Sequence, residues 1–298
     1  MSILFGLKML IWAANSGAVV YLGACLALNF GQNRLIFKPC QPLPLTPYEL
    51  GLAYEDVWLS VADAQGQLGR VHGWWISTHQ LSEQPSERVL LFLHGNGCTI
   101  NSNLSAAQRF LKLGFSVLMI DYRGYGRSQG AFPQEAEVYR DSQHAWDYLI
   151  NERHVLPQNL YLYGHSLGGA IAIDLAVRRP QSAGLIVENT FTSLKAMVEH
   201  QKRFRWLPTD FVLHQRFDSL AKLALLQIPI LVIHGTLDRT IPRQMGQQLF
   251  ESAPVPKHFL QVADAGHNNT GAVAGERYDE AIAQFMTLVQ PNARYASL

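Results

Sequence analysis

A chain of 298 residues with 48% hydrophobic and 16% charged residues has ample material for a large core, and more apolar content than a soluble core alone needs. A formal net charge of +1 argues against a polyanionic partner, so no nucleic acid is expected. The widely spaced Cys25, Cys40 and Cys98 form neither a disulfide framework nor a metal-ligand cluster.

In chain order, the first element is apolar. Residues 9–30, "MLIWAANSGAVVYLGACLALNF", carry no charge. At about 1.5 Å per residue the run is just long enough to cross a hydrocarbon core of about 30 Å. Lys8 precedes it, and Arg34 and Lys38 follow, a balance too even to assign orientation. A cleaved secretory signal is one alternative, a lipoprotein leader ending in "LGAC" with Cys25 lipidated is another, and a buried helix of the soluble domain is a third. The apolar run continuing past Cys25 into "LALNF" favours an uncleaved single-span membrane anchor. Residues 1–37 are therefore assigned to the anchor and the start of a linker, and 38–298 to one folded domain.

Residues 38–47, "KPCQPLPLTP", hold four prolines and read as an extended linker. Residues 54–61 and 70–77 are strand-like and form a hairpin across "ADAQGQLG". From residue 88 apolar strands and helices alternate. Strands are expected in "RVLLFLHG", "FSVLMIDYRG", "LYLYG", "AGLIVEN", "IPILVIHG" and "KHFLQV". Helices are expected over 103–113, 135–150, 167–178, 243–250 and 272–289. Strands that are apolar throughout belong in a sheet covered on both faces. The alternation therefore gives an α/β fold, a mainly parallel doubly wound sheet with an N-terminal hairpin, and ligands gather at the carboxyl ends of its strands.

At one such end stands Gly164-His165-Ser166-Leu167-Gly168, a G-x-S-x-G string with a strand before it and a helix after it. That context makes Ser166 a candidate nucleophile. Glycines on either side permit a sharp turn, and the N–H of Leu167 at the helix start is placed to stabilise an oxyanion. A serine hydroxyl needs a base. Asp238, in "HGTLDRTIP", and His267, in "ADAGHNN", each follow a predicted strand, and the order Ser166, Asp238, His267 suits this arrangement. Glu188, at the end of its own strand, is the rival acid. A second oxyanion donor is expected from the backbone N–H of Asn96 in His94-Gly95-Asn96-Gly97-Cys98, so Asn96→Ala is expected to do little. Cys98 is read as an inert thiol with no base beside it.

The motifs "HGNG", "DYRGYGRSQG", "GHSLGG", "HGTLDRTIP" and "AGHNN" together resemble the α/β-hydrolase superfamily. The similarity is greatest to its membrane-anchored serine hydrolases, a branch that includes eukaryotic protein depalmitoylases and many bacterial relatives. It runs from "RLIFKP" to the last helix and implies Ser166 as nucleophile, Asp238 as acid, His267 as base, and the Asn96 and Leu167 amides as the oxyanion hole. It also implies that Asp121 and Arg123 tie loops together. "HGNGCT" departs from the "HGNAGN" of many relatives, which affects the shape of that loop.

A short lid is expected over 189–227. There Lys202, Arg203, Arg205 and Arg216 interleave with Phe204, Trp206, Phe211 and Val212, a mixture suited to solvated lid surface, an anionic lipid surface or an acyl pocket. Behind an anchor, the expected substrate is a lipid-derived ester or an acylated protein. Acyl transfer, peptide cleavage and non-catalytic ligand binding use the same fold and stay open. No metal or cofactor is implied, and "GHSLGG" lacks the Lys-Ser/Thr pair of a phosphate-binding loop.

Overall fold

A computed structural model of the chain describes residues 2–41, 44–62, 66–78, 87–130, 132–201 and 206–289. Eight strands form one sheet: β1 (Glu55–Ala62), β2 (Leu68–Ile76), β3 (Val89–Leu93), β4 (Ser116–Ile120), β5 (Leu160–His165), β6 (Gly184–Glu188), β7 (Ile230–Gly235) and β8 (Lys257–Val262). Their order is β1-β2-β4-β3-β5-β6-β7-β8. β1 and β2 are an antiparallel hairpin, β2 runs antiparallel to β4, and every later pairing is parallel.

Why the central strands are apolar throughout is clear from their two faces. Leu91 and Leu93 of β3 enter one core with Leu162 and Val187, while Leu90 and Phe92 enter the other with Tyr161, Tyr163 and Ile186. Successive side chains point to opposite faces, and both faces are covered, so neither parity is polar. After a first helix α1 (Ser2–Ile36), the covering helices begin with α2 (Leu104–Lys112), α3 (Glu135–Asn151) and α4 (Leu167–Arg178). Between β6 and β7 lie α5 (Leu194–His200), α6 (Thr209–Val212) and α7 (Ser219–Leu223), in the segment expected as a lid. Of its interleaved basic and aromatic residues, Lys202, Arg203, Phe204 and Arg205 lie outside the described residues. The chain ends with α8 (Arg243–Ser252), α9 (Thr270–Ala274) and α10 (Glu276–Val289). The single last helix expected over 272–289 is thus two, parted at Gly275, whose φ of 56° breaks the helical path.

One N-terminal expectation changes and another gains detail. The helix expected over 9–30 extends through Ile36. Among the described residues α1 is the one helix long and apolar enough to cross a membrane, and none of its most apolar stretch is buried. The proline-rich segment after it has no helix or strand over residues 38–41 and 44–46, as an extended linker should, but it is fastened to the domain. Phe37 joins the core, the Cys40 carbonyl accepts from the Gly126 amide at 3.1 Å, and the Leu45 carbonyl accepts from Asn101 Nδ2 at 2.5 Å. Four prolines remove amide donors but leave carbonyls, and two of this segment's carbonyls are used to fasten it.

Candidate active site

Ser166 stands between β5 and α4 with φ 55° and ψ −119°, a conformation unusual for a residue with a side chain. Such strain costs roughly 1–3 kcal/mol and persists only where neighbours impose it. Here the Ser166 amide donates to the Glu188 carbonyl at 2.9 Å, and Thr190 Oγ1 donates to the Ser166 carbonyl at 2.7 Å. The flanking glycines answer to close approach. A β-carbon on Gly164 would lie 2.2 Å from the Gly168 carbonyl oxygen, and one on Gly168 would lie 2.1 Å from the Leu93 carbonyl oxygen.

The three distant residues expected together are together. His267 Nε2 is 3.1 Å from Ser166 Oγ, and His267 Nδ1 donates to Asp238 Oδ2 at 2.7 Å. Because a carboxylate only accepts, Nδ1 carries the proton and Nε2 is free to accept one. Asp238 Oδ1 accepts from the amides of Thr240 and Ile241 at 2.8 and 2.9 Å. Burial pulls the Asp238 carboxyl upward, but the His267 bond and those amides outweigh it and hold it below its usual range. The Asp238 side chain is fully buried, whereas that of His267 is 15% exposed.

The loop bearing His267 is held from below. Its carbonyl accepts from Asn189 Nδ2 at 2.7 Å and from His165 Nε2 at 2.8 Å. Burial pushes the His165 imidazole down, so it stays neutral in this role. Neither His165 nor Asn189 was singled out from the sequence. The hint for Asn189 is its place directly beyond β6, where its Oδ1 also accepts from the Gly235 amide at 2.9 Å.

Glu188, the rival acid, is committed elsewhere. Its carboxylate accepts from Tyr163 Oη at 2.9 Å, Tyr278 Oη at 2.6 Å and Thr270 Oγ1. Asp121 and Arg123 tie loops together as expected. Asp121 Oδ1 accepts from the Ile100 amide at 2.9 Å, and the buried Arg123 pairs with Asp141 at 2.5 Å and Glu137 at 3.4 Å.

Asn96 and Leu167 line the same cavity as Ser166 and His267, a space of about 920 Å³. Leu167 opens α4, so its amide has no acceptor within the helix. The loop after β3 touches the turn at Ser166, since a β-carbon on Gly95 would lie 3.2 Å from Ser166 Cβ. The Asn96 side chain is not idle: Oδ1 accepts from the Lys38 amide at 2.9 Å and Tyr125 Oη at 2.7 Å, and Nδ2 donates to the Ile36 carbonyl. Removing it would release the loop from the end of α1. Cys98 does have an imidazole nearby, with His94 Nδ1 3.7 Å from its sulfur, while the thiol donates to the Gly95 carbonyl at 2.9 Å.

Residues 84–225 match the family model for serine aminopeptidase, S33. An uncharacterized protein of Mycobacterium tuberculosis is 31% identical over 271 residues, covering 91% of this chain and 92% of the relative. Protein bem46 of Schizosaccharomyces pombe is 31% identical over 259 residues, 81% of this chain and 79% of its own. Human alpha/beta hydrolase domain-containing protein 17C is 33% identical over 215 residues, 70% of this chain and 61% of its own. Among solved structures, the Pyrococcus furiosus esterase Pf2001 superposes with a TM-score of 0.67 at 21% identity, covering 84% of this chain and 98% of the esterase. At that identity the likeness speaks for the fold alone.

Proposed function

The chain belongs to the α/β-hydrolase superfamily, and on that premise we propose that it is a serine hydrolase that cleaves ester or thioester bonds of lipid-like or acylated substrates. The observation that carries this reading is the hydrogen-bonded chain from Ser166 Oγ through His267 to Asp238, at 3.1 and 2.7 Å. Ser166 Oγ attacks the acyl carbon as His267 Nε2 takes its proton, and Asp238 steadies the imidazolium. The Leu167 and Asn96 amides receive the carbonyl oxygen as its charge develops. The C–O or C–S bond breaks, the leaving group takes the proton from His267, and water repeats the sequence to release the acid. α1 serves as the membrane anchor, which places the site where acyl chains are available.

A fluorophosphonate probe should label the wild-type protein at Ser166, and p-nitrophenyl esters should be hydrolysed by it. Ser166→Ala should abolish both; persistent turnover in that variant would sink the assignment. The S33 family model supports a second reading, cleavage of an N-terminal amino acid, and turnover of aminoacyl p-nitroanilides in preference to esters would favour it.

A further inference from the structure

The helix that reads as an anchor also reaches the cavity over Ser166. Leu28, Gln32 and Leu35 of α1 line it, opposite Leu207, Val212 and Leu213 of the segment between β6 and β7. Gln32 is 4% exposed, and both ends of its amide are used. Nε2 donates to the Val212 carbonyl at 3.0 Å and to His214 Nδ1 at 2.6 Å, while Oε1 accepts from the His214 and Gln215 amides, each at 3.0 Å. Asn29, one turn earlier, donates to the same Val212 carbonyl at 2.9 Å. These backbone groups lie at the last residue of α6 and in the irregular stretch just beyond it, where leaving one buried and unpaired costs roughly 1–3 kcal/mol. Gln215 Oε1 in turn accepts from the Glu135 amide at 2.6 Å, joining the stretch to the start of α3.

The height of this junction follows from helix geometry. Tyr21 Oη donates to the Trp206 carbonyl at 3.2 Å, and the two rings meet edge to face at 5.9 Å. The 19 residues of α1 before Tyr21 span about 28 Å at about 1.5 Å per residue, close to a hydrocarbon core of about 30 Å. This shifts the span from the expected 9–30 toward the N-terminus and takes in Lys8, whose long stem can carry its ammonium outward. Tyrosine and tryptophan favour the boundary of such a core. Beyond Tyr21, Leu26 and Phe30 of α1 are 58% and 82% exposed, and Phe211 of α6 is 89% exposed.

We propose that the last turns of α1 form one wall of the acyl-binding cavity, with Gln32 as the positioning residue that holds the lid against them, so that the acyl chain enters from the bilayer between α1 and the lid. This rests on the hydrolase reading above. The anchor is then part of the specificity apparatus, and chain-length preference is written partly in residues 28–36.

The test uses the full chain in detergent micelles, with p-nitrophenyl dodecanoate and butyrate as substrates. Leu28→Trp fills the cavity wall and should lower the dodecanoate-to-butyrate ratio of kcat/KM by about 10-fold or more, since single methylenes in an apolar pocket are each worth at least that order. Leu26→Trp, the same change on the exposed face, should hold the ratio. Gln32→Ala should raise KM for dodecanoate about 10-fold with kcat falling less than about 3-fold, and Gln32→Glu, which keeps an acceptor for the His214 and Gln215 amides, should recover part of the loss. An unmoved ratio in Leu28→Trp, an equal shift in Leu26→Trp, or a Gln32→Ala effect confined to kcat on both esters would overturn the proposal alone. Wild-type protein that hydrolyses neither ester would overturn the hydrolase reading and this one with it.

Discussion

Two of the aspartate–histidine pairs at the carboxyl ends of the sheet, His94–Asp121 and His267–Asp238, are set apart by their surroundings. His94 Nε2 stands 3.3 Å from Asp121 Oδ1, with both side chains sealed from solvent. Its other nitrogen faces the Gly95 carbonyl at 2.7 Å, which can only accept, so Nδ1 carries a proton, and the Asp121 carboxylate beside Nε2 favours a second one that makes the ring a cation. Burial opposes that charge, but Asp121 and Cys98 outweigh it and hold His94 up at about 10. The second nitrogen of His267 faces a serine hydroxyl instead, and its ring reaches solvent. An aspartate behind an imidazole is common to a structural cation and to a proposed general base. What the far nitrogen meets separates them.

The sharpest way to break the comparison is to damage the second pair. His267→Ala should lower kcat on a p-nitrophenyl ester by roughly 10⁴-fold or more, and Asp238→Asn by roughly 10⁴-fold through the wrong tautomer, each with an unchanged circular dichroism spectrum. Damage to the first pair should appear as lost stability. Asp121→Asn leaves a buried cation without its partner, and its unfolding free energy should fall by about 3–5 kcal/mol in urea titration.

Titration sharpens the same contrast. His94 is raised above its ordinary 6.5, so its contribution to stability is complete below about pH 6.5 and is lost as pH rises through about 10. Asp238 is lowered, so its contribution is present above the unfolded carboxylate pKa and is lost as pH falls through its lower folded value. A Tm profile of Asp121→Asn should lack the alkaline decline of the wild type, and that of Asp238→Asn should lack part of the acid one. The smallest effect belongs to Cys98. Burial raises its thiol, but His94 outweighs that and holds it below its usual value. Cys98→Ser keeps a donor to the Gly95 carbonyl, and ester kcat/KM should change by less than about 3-fold, as for most substitutions that leave a partner satisfied.

The sheet and the Ser166–His267–Asp238 chain were legible because local rules write them. Apolar strands in "VLLFL" and "LYLYG" require cover on both faces, and glycines at 164 and 168 mark a backbone approach that tolerates no side chain. Glu188 was ambiguous because its three hydroxyl partners are 25, 82 and 90 residues away. An acid closing the apolar strand "GLIVE" demands partners, but the sequence does not say whether they are hydroxyls or an imidazole. Gln32 was invisible for a related reason: it bonds to backbone some 180 residues distant, and backbone groups leave no trace in residue identity. That the proline-rich linker is fastened was not legible, because composition reports missing donors and is silent about carbonyls that find distant ones.

The bare α-carbon of Gly168 fits against the carbonyl of Leu93, leaving no room for even a methyl group. The turn that bears Ser166 and the end of β3, with the loop that carries Asn96, are therefore interlocked parts and not separate modules. A chimera that imports one of them from a relative without the other would misplace both, so grafts between members of this family should exchange the two segments as a matched pair.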